Sequence, residues 1–262
     1  MNKRKIDFCY HCHTFRCGHA EGSDEQYVQA AILNGIKTLW FTDHVMLPGM
    51  IQPGIRGDYD KFFLDYVESI KNLKEKYKDI ITIELGFECE YLPKYINYYK
   101  ELKSKYGFVH LILGQHFYIT ENNEFDWYCH GPNIEQARHY VDDLVEGIKS
   151  GLFDFVCHPD LFLWNFSKFT PELEECSRRI FKTAEKYNVP LEINLHKLEF
   201  QRSLCQNLVY PDPTFWSIAS EYNVKVTFNG DCHSPSHFFD TDFDFALDMI
   251  KKYNLRYVGH IE

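Results

Sequence analysis

The sequence lacks any apolar run of about 18 or more residues, the length that a membrane-spanning helix requires. It also lacks a basic, apolar and small-residue leader, since residues 1–4 run directly into a strand-like segment. Internal repeats and low-complexity segments are absent as well. We therefore expect a soluble protein that is not exported and that has no membrane partner.

Basic residues are in short supply, because 28 lysines and arginines face 38 aspartates and glutamates, for a formal net charge of −10. Such an acidic balance argues against a broad nucleic-acid-binding surface, so no nucleic-acid partner is expected. A small anion can still be attracted by bound cations. The sequence does not indicate an oligomeric state.

The nine cysteines are an odd number in a chain of 262 residues, which is long enough to bury a core without disulfides. They are interpreted as reduced thiols, which predicts a cytoplasmic location. A chain of this length forms one large α/β domain or two small ones. Because no linker-like stretch divides the sequence, we expect a single domain over residues 1–262.

Histidine, by contrast, is abundant, with 13 residues, and three of them lie within residues 9–19. His11 and His13 alternate at the end of a strand-like run, so their side chains share one face about 6 to 7 Å apart. Two such imidazoles can chelate one divalent cation, and His19, after a turn at Gly18, can reach a second ion. The His-x-His spacing alone is equally typical of a half-buried polar pair.

Seven apolar, strand-like runs alternate with helices along the chain. The predicted strands cover residues 6–13, 36–44, 80–91, 109–117, 153–158, 191–196 and 224–229. The predicted helices cover residues 24–34, 59–78, 95–106, 133–150, 170–188, 214–223 and 243–254. This alternation favours a parallel α/β sheet that is closed or nearly closed as a barrel, with an open doubly wound sheet as the alternative. Residues 46–58, rich in glycine and proline, are either a lid or a plain surface loop, and residues 121–131 are expected to be irregular.

Candidate metal ligands recur where these strands end. They are His11, His13, His44, Glu88, His116, His158, Asp231 and His233. The carboxyl ends of barrel strands converge on one face, whereas an open sheet would spread the same residues along a line. A catalytic zinc takes about three protein ligands plus water, so this set, together with His19, indicates two or three ions.

In register along nearly the whole chain, the motifs resemble those of the PHP (polymerase and histidinol phosphatase) family. They are His-x-His at the first strand, Thr-Asp-His at the second, Gly-x-Glu at the third, a lone His at the fourth, His-Pro-Asp at the fifth and Gly-Asp-x-His at the last. The Cys-Gly-His-Ala and Glu-Ile-Asn segments are most similar to the monofunctional histidinol-phosphate phosphatases. The resemblance implies a distorted (β/α)7 TIM-like barrel that holds three divalent metal ions, either zinc, iron or manganese.

The resemblance also implies which residues hold each ion. The first ion would be held by His11, His13, Glu88 and Asp231. The second would be held by a bridging Glu88 with His116 and His158, and the third by His19, His44 and His233. Among these ligands we assign catalytic roles to Glu88, Asp231 and His233. Two places depart from the family pattern: Cys9, where an acid is usual, and residues 195–197, where a turn of small residues is usual.

Two divalent ions about 3.5 to 4 Å apart can deprotonate a bridging water, and the resulting hydroxide attacks phosphorus while the ions hold the phosphoryl oxygens. The expected function is therefore that of a metal-dependent phosphomonoesterase. The favoured substrate is L-histidinol phosphate, a small phosphorylated metabolite of histidine biosynthesis. A thiol phosphatase built on Cys12 or Cys17 is disfavoured, because neither lies in a loop of backbone donors that is followed by arginine.

Substrate contacts are expected from a few charged residues. Arg16, Lys197 and Arg202 are candidates for the phosphate, because guanidinium groups suit bidentate recognition of oxyanions, with solvated surface bases as the alternative. Asp160 and Glu90 either meet a cationic amine or imidazole on the substrate or brace the ligand histidines.

Two other functions stay open. One keeps the chemistry and changes the substrate to a nucleotide, a phosphodiester or phosphotyrosine. The other is a metal-binding module without catalysis, which the complete ligand set disfavours.

Overall fold

Strands and helices alternate along the chain in the computed structural model, which describes residues 6–107, 109–122, 124–128, 131–196 and 208–261. The strands are β1 (Phe8–Cys9), β2 (Thr38–His44), β3 (Thr82–Cys89), β4 (Val109–Leu113), β5 (Phe117–Ile119), β6 (Phe125–Trp127), β7 (Phe155–Val156), β8 (Leu191–Asn194), β9 (Lys225–Asn229) and β10 (Arg256–Tyr257). The helices are α1 (Asp24–Leu33), α2 (Tyr59–Tyr77), α3 (Ile96–Lys105), α4 (Ile134–Ser150), α5 (Pro171–Tyr187), α6 (Pro213–Ala219), α7 (His237–Asp240) and α8 (Phe243–Tyr253). All seven predicted strands are present in shorter form, whereas α7 and β10 were not predicted. Among the described residues, no helix combines the length and the apolarity needed to cross a membrane.

Two compact units make up the chain. The first comprises Met1–Cys89, Asn97–Ile112 and Asn229–Phe243. The second comprises Glu90–Ile96, Leu113–Phe228 and Asp244–Glu262. The single-domain organisation expected from the sequence stays a prediction.

In the first unit the strands lie in the order β1-β2-β3-β4. β1, β2 and β3 are parallel, and the register pairs Thr38 with Thr82 and His44 with Glu88. Nearly all of β2 and β3 is buried, as expected for apolar runs in a parallel sheet that is covered on both faces. The register therefore brings the polar ends of two neighbouring strands side by side.

Gly86 allows β3 to approach both of its neighbours closely. A Cβ at this position would lie 2.8 Å from the backbone oxygen of His110 on β4 and 2.9 Å from a methyl carbon of Thr42 on β2. Such contacts are shorter than van der Waals separations, so a larger residue would push the strands apart. The His110 ring stacks on Trp40 with ring centroids 3.5 Å apart.

Helix α2 covers β3 with an apolar stripe. Its first turn is capped by Asp58, whose side chain accepts a hydrogen bond from the Lys61 backbone N–H at 3.0 Å. The rings of Phe63 and Tyr66 lie against Phe87, with centroids 6.0 and 5.2 Å away. This packing anchors the strand that ends in Glu88.

The second unit contains the strand order β7-β8-β9-β10, in which β7 and β8 are parallel, as are β9 and β10. Helices α4 and α5 pack against each other. Asn133 and Thr170 cap their first turns, and Asn188 ends α5 in the left-handed conformation, at φ 56°. Short polar residues such as Asn133 and Thr170, placed before an amphipathic run, are typical of the first residue of a helix.

The second unit also contains a hairpin that the sequence reading missed. β5 and β6 are antiparallel and pair Phe117 with Trp127 and Ile119 with Phe125. The expectation of irregular structure over residues 121–131 was therefore wrong for residues 125–127. The fourth predicted strand also ends earlier than expected, at Leu113, because Phe117 starts the hairpin.

Candidate metal centre

The first unit brings together seven of the nine residues expected to bind metal. They are His11, His13, His19, His44, Glu88, Asp231 and His233. The other two, His116 and His158, lie in the second unit.

Backbone hydrogen bonds align the two segments that carry four of these residues. The Cys232 N–H donates to the His11 carbonyl at 3.1 Å, and the His13 N–H donates to the Cys232 carbonyl at 2.9 Å. Cys12 and Cys232 thus form a parallel bridge. Because side chains alternate along extended backbone, His11 and His13 share the face opposite Cys12.

Three donor atoms, one each from Asp231, His11 and His13, lie close together. Its Oδ1 lies 3.1 Å from His13 Nε2 and 3.4 Å from His11 Nε2. The two imidazole nitrogens are themselves 3.2 Å apart. These are three of the four residues expected to hold the first ion, the fourth being Glu88.

Glu88 faces three imidazoles. Its Oε2 lies 3.0 Å from His44 Nδ1, 3.4 Å from His13 Nε2 and 3.7 Å from His11 Nε2. The Glu88 side chain is only 2% exposed, so its charge needs cationic or hydrogen-bonding partners. One carboxylate thus adjoins two groups of histidines within the unit.

A second pair of imidazoles lies beside this group. His19 Nε2 is 3.0 Å from His233 Nε2, and the His233 Nδ1 is 3.0 Å from the Asp231 carbonyl oxygen. The Cys17 sulfur and the ring nitrogens of His19 and His233 all lie within 4.8 Å of one another. Ligands expected for the first and third ions are therefore close neighbours.

The donor set of the first unit fits divalent metal ions. Imidazole nitrogens face each other in two pairs, 3.0 and 3.2 Å apart. A single proton can lie between the two nitrogens of a pair, whereas a cation there would bind both lone pairs. Imidazole and carboxylate are the ligands that zinc, iron and manganese accept. Several groups here have donor atoms within 4.8 Å of one another, and three of them consist mostly of the expected ligands. They are His11, His13 and Asp231; His13, His44 and His233; and Cys17, His19 and His233.

The pKa values reflect this crowding of charge. Burial disfavours a charged His13, but hydrogen bonds to Asp231 and Asp43 and the charges of Asp231 and Glu88 outweigh it and raise the pKa of His13 to about 9. Burial, followed by the charge of His13, lowers the pKa of His19. Without metal, protons therefore gather on His13 rather than on His19.

Two of the candidate ligands have unusual backbone conformations. Asp231 lies at φ 47° and His158 at φ 35°, in the left-handed region that L residues enter at a cost of about 1–2 kcal/mol. Each is the second residue after the end of a strand. Left-handed residues cluster at functional sites because the chain must turn sharply there to aim a side chain.

In the second unit, His116 and His158 lie beside each other, with ring centroids 4.9 Å apart. His116 Nδ1 is 3.0 Å from Glu90 Oε1. The His158 N–H donates to Glu192 at 3.1 Å, and the amide of Asn194 donates to the same oxygen at 2.9 Å. Glu90 thus braces a candidate ligand, one of the two roles expected for it.

The residues expected to contact substrate have varied positions. Arg16 is buried and pairs through its guanidinium with Asp24 and Asp65, at 2.9 and 2.7 Å, so its phosphate contact stays a prediction. Lys197 and Arg202 lie outside the described residues. Asp160 is fully buried and accepts a hydrogen bond from the Asp212 N–H at 2.8 Å.

Asp43 is the residue that the sequence reading missed. It is fully buried, and its Oδ1 lies 3.4 Å from His13 Nδ1 and accepts the His44 N–H at 2.9 Å. The Thr-Asp-His motif contains it, but the motif predicts a metal ligand only at its histidine. Its distance from His13, 30 residues away in sequence, depends on how β1 and β2 pair.

Comparison with known proteins finds similar proteins that span nearly the whole chain. The family model described as PHP domain matches residues 10–196. A "Probable histidinol-phosphatase" from Deinococcus radiodurans is 25% identical over 253 residues, which cover 95% of this chain and 92% of that protein. A protein of the same name from Schizosaccharomyces pombe is 26% identical over 276 residues, covering 94% of this chain and 86% of that protein.

A solved structure has the same fold. It is histidinol phosphate phosphatase from Lactococcus lactis subsp. lactis, complexed with zinc, L-histidinol and phosphate. It matches with a TM-score of 0.71 at 18% identity, over 96% of this chain and 95% of that chain. The likeness confirms the predicted fold class, an α/β TIM-like barrel of the PHP type. Since the family model covers most of the sequence, the chain belongs to the PHP domain family.

Proposed function

We propose that this chain is a metal-dependent phosphomonoesterase that releases phosphate from L-histidinol phosphate. The observation that carries the proposal is the convergence of five imidazoles and two carboxylates in the first unit, with donor atoms 3.0 to 3.7 Å apart. Such a cluster is far richer in ligands than a structural ion requires. The substrate follows from the names of the curated relatives and from the histidinol and phosphate in the Lactococcus lactis structure.

The proposed cofactors are three divalent ions, zinc, iron or manganese. His11, His13, Glu88 and Asp231 would hold one of them, and His19, His44 and His233 another. His116 and His158 are proposed as ligands from the second unit. When bound, such ions supply Lewis acidity, which lowers the pKa of a coordinated water and polarises phosphoryl oxygens.

The residues of this chain would contribute position and charge. Asp231 and Glu88 bring two carboxylates to a buried place, which offsets the charge of cations there. His233 is held through Nδ1 by the Asp231 carbonyl at 3.0 Å, so its Nε2 is directed at His19 and the rest of the cluster. We propose these three as the residues nearest the reacting phosphate.

Asp160 is better suited to bracing than to substrate binding. Its side chain is fully buried, and burial raises its pKa to about 7, partly countered by the hydrogen bond from the Asp212 N–H. A buried carboxyl of this kind fixes the segment at Asp212, which in turn caps α6. Recognition of the substrate amine by Asp160 is the weaker of its two proposed roles.

A small phosphorylated metabolite, rather than nucleic acid, is the proposed partner, in keeping with the net charge of −10. A cytoplasmic location is part of the same proposal. It is supported by the seven described cysteines, which are buried free thiols, including Cys9 and Cys12 at a Cys-x-x-Cys spacing.

The test is phosphate release by the purified protein with its native metals, measured for L-histidinol phosphate and for a panel of other phosphate esters. We expect the highest kcat/KM for L-histidinol phosphate and a loss of activity on dialysis against a chelator. His13→Asn should be inactive, whereas His139→Asn, which changes a half-exposed histidine outside the cluster, should resemble the wild type. Rapid turnover of another ester with none of L-histidinol phosphate would overturn the substrate.

A further inference from the structure

The two nitrogens of His13 face different surroundings. Its Nε2 lies within 3.1 to 3.4 Å of His11, Asp231 and Glu88. Its Nδ1 lies 3.4 Å from Asp43 Oδ1. The ring thus stands between the proposed metal centre on one side and a buried carboxylate on the other.

A neutral imidazole carries one proton, on one nitrogen or the other, and only the nitrogen without it can bind a cation. An anionic oxygen next to Nδ1 favours the proton there. Nε2 then keeps its lone pair on the side of the centre. Carboxylates placed in this way orient metal-binding histidines and increase their basicity.

Asp43 is itself held by a chain of polar groups. Its Oδ2 accepts a hydrogen bond from the Thr14 hydroxyl. The same hydroxyl oxygen accepts a hydrogen bond from Arg16 Nη1 at 3.3 Å, and Arg16 pairs with Asp24 of α1 at 2.9 Å and with Asp65 of α2 at 2.7 Å. This series of contacts connects α1 and α2 to the carboxylate beside His13. It accounts for the burial of Arg16, which lies between two candidate ligands in the sequence.

We propose that Asp43 is a positioning residue whose carboxylate selects the His13 tautomer that presents Nε2 to a divalent ion, and that Thr14 and Arg16 hold this carboxylate in place. The inference deepens the proposed function and rests on its metal centre. It does not depend on the identity of the substrate.

The test is metal retention by Asp43→Asn, measured by chelator competition with zinc and elemental analysis. The amide keeps the size of the side chain and can still accept the His44 N–H, but it has no charge. We expect about 10- to 100-fold weaker binding of the ion that His13 holds. Thr14→Val, which only loosens the carboxylate, should weaken binding less, and it serves as the readout if Asp43→Asn does not fold.

The matched control is Asp143→Asn. Asp143 also accepts a hydroxyl hydrogen bond, from Tyr128, and lies 3.6 Å from a histidine, His139, but none of these is a candidate ligand. It should lose stability without losing zinc affinity. The imidazole ¹⁵N spectrum of the zinc-loaded protein adds a direct readout, since the wild type should show the His13 proton on Nδ1.

The outcomes separate the inference from the proposed function. Folded Asp43→Asn with wild-type zinc affinity, or an equal loss in Asp143→Asn, would overturn the positioning role. A His13 proton on Nε2 in the zinc-loaded wild type would do the same. A wild-type protein that retains no divalent ion would overturn the proposed function, and the inference with it.

Discussion

A histidine paired with a buried carboxylate occurs in both units, and the two pairs differ in their surroundings. In the first unit His13 Nδ1 lies 3.4 Å from Asp43, and in the second His116 Nδ1 lies 3.0 Å from Glu90. The His13 side chain is 1% exposed and has four imidazoles with ring centroids 4.0 to 6.3 Å away. The His116 side chain is 19% exposed, and the His158 ring lies 4.9 Å away.

The two pairs should differ in how many metal ions are affected when one side chain is removed. In the crowded first unit, donors share neighbours, so that one carboxylate contacts histidines of more than one proposed ion. In the second unit, the His116 side chain that faces Glu90 is more exposed. We therefore expect substitutions in the first unit to affect several ions and substitutions of the second pair to affect one.

Glu88→Ala should break the crowded group most severely. Its carboxylate lies within 3.7 Å of His11, His13 and His44, so its removal should cost two ions per chain. Loss of several kcal/mol of transition-state stabilisation lowers kcat by about a thousandfold or more. Elemental analysis counts the ions, and Glu84→Ala, on the same strand but paired with the exposed Lys74, is the control. Loss of a single ion would contradict the shared role.

His19→Ala should have a narrower effect within the same unit. His19 touches the cluster through His233, at 3.0 Å, and is not in the group around Asp231. We expect the third ion to be lost and the others to remain. Metal content per chain, measured beside His139→Ala, checks this. Loss of all ions would mean that the first unit behaves as one inseparable centre.

Metal uptake by the first unit should depend steeply on pH. Because the pKa of His13 is raised to about 9 in the metal-free protein, the ring is protonated at pH 7, and an ion must displace that proton. The apparent affinity should therefore rise about tenfold per pH unit between pH 7 and 9 and level off above 9. Chelator competition at several pH values, corrected for protonation of the chelator, measures it. A flat profile would remove His13 from the ligands.

Much of the fold and of the ligand set could be predicted because both depend on patterns among residues that are close in the sequence. Apolar runs that end in a histidine or an acid mark strand ends, and the parity of His11 with His13 places both on one face. Asp43 could not be found in this way. Its contact with His13 depends on strand pairing, and the ion pairs that occupy Arg16 join residues 8 and 49 positions apart.

The hairpin of β5 and β6 had a local signal that was overlooked. Phe117, Ile119, Phe125 and Trp127 recur at every second position, the period of a strand, with Tyr118 and Asp126 between them, on either side of a polar turn. The mixed aromatic and polar composition of residues 121–131 obscures this alternation and favours the expectation of an irregular segment. Strand lengths were overestimated for a different reason, since the ligand residues continue the apolar runs while their backbone turns, as at His158, with φ 35°.

Glu90→Gln tests the pair formed by His116 and Glu90 directly. The amide should keep the size and lose the charge beside His116, so that one ion binds about 10- to 100-fold more weakly while the ions of the first unit remain. Comparison with Asp43→Asn under the same chelator sharpens the contrast between the two pairs. Equal loss of every ion in both variants would show that surroundings make no difference.

Cys17→Ser should have the smallest effect, although its sulfur lies within 4.8 Å of the ring nitrogens of His19 and His233. Burial, followed by the charge of Asp43, raises the pKa of the thiol to about 12, so it is protonated at neutral pH and is no nucleophile. Serine preserves size, and kcat should stay within about twofold of the wild type, because the imidazoles and carboxylates are untouched. Steady-state kinetics with metal analysis measures both properties. Inactivation with full metal content would revive a thiol mechanism, and inactivation with loss of one ion would make the sulfur a ligand beside His19 and His233.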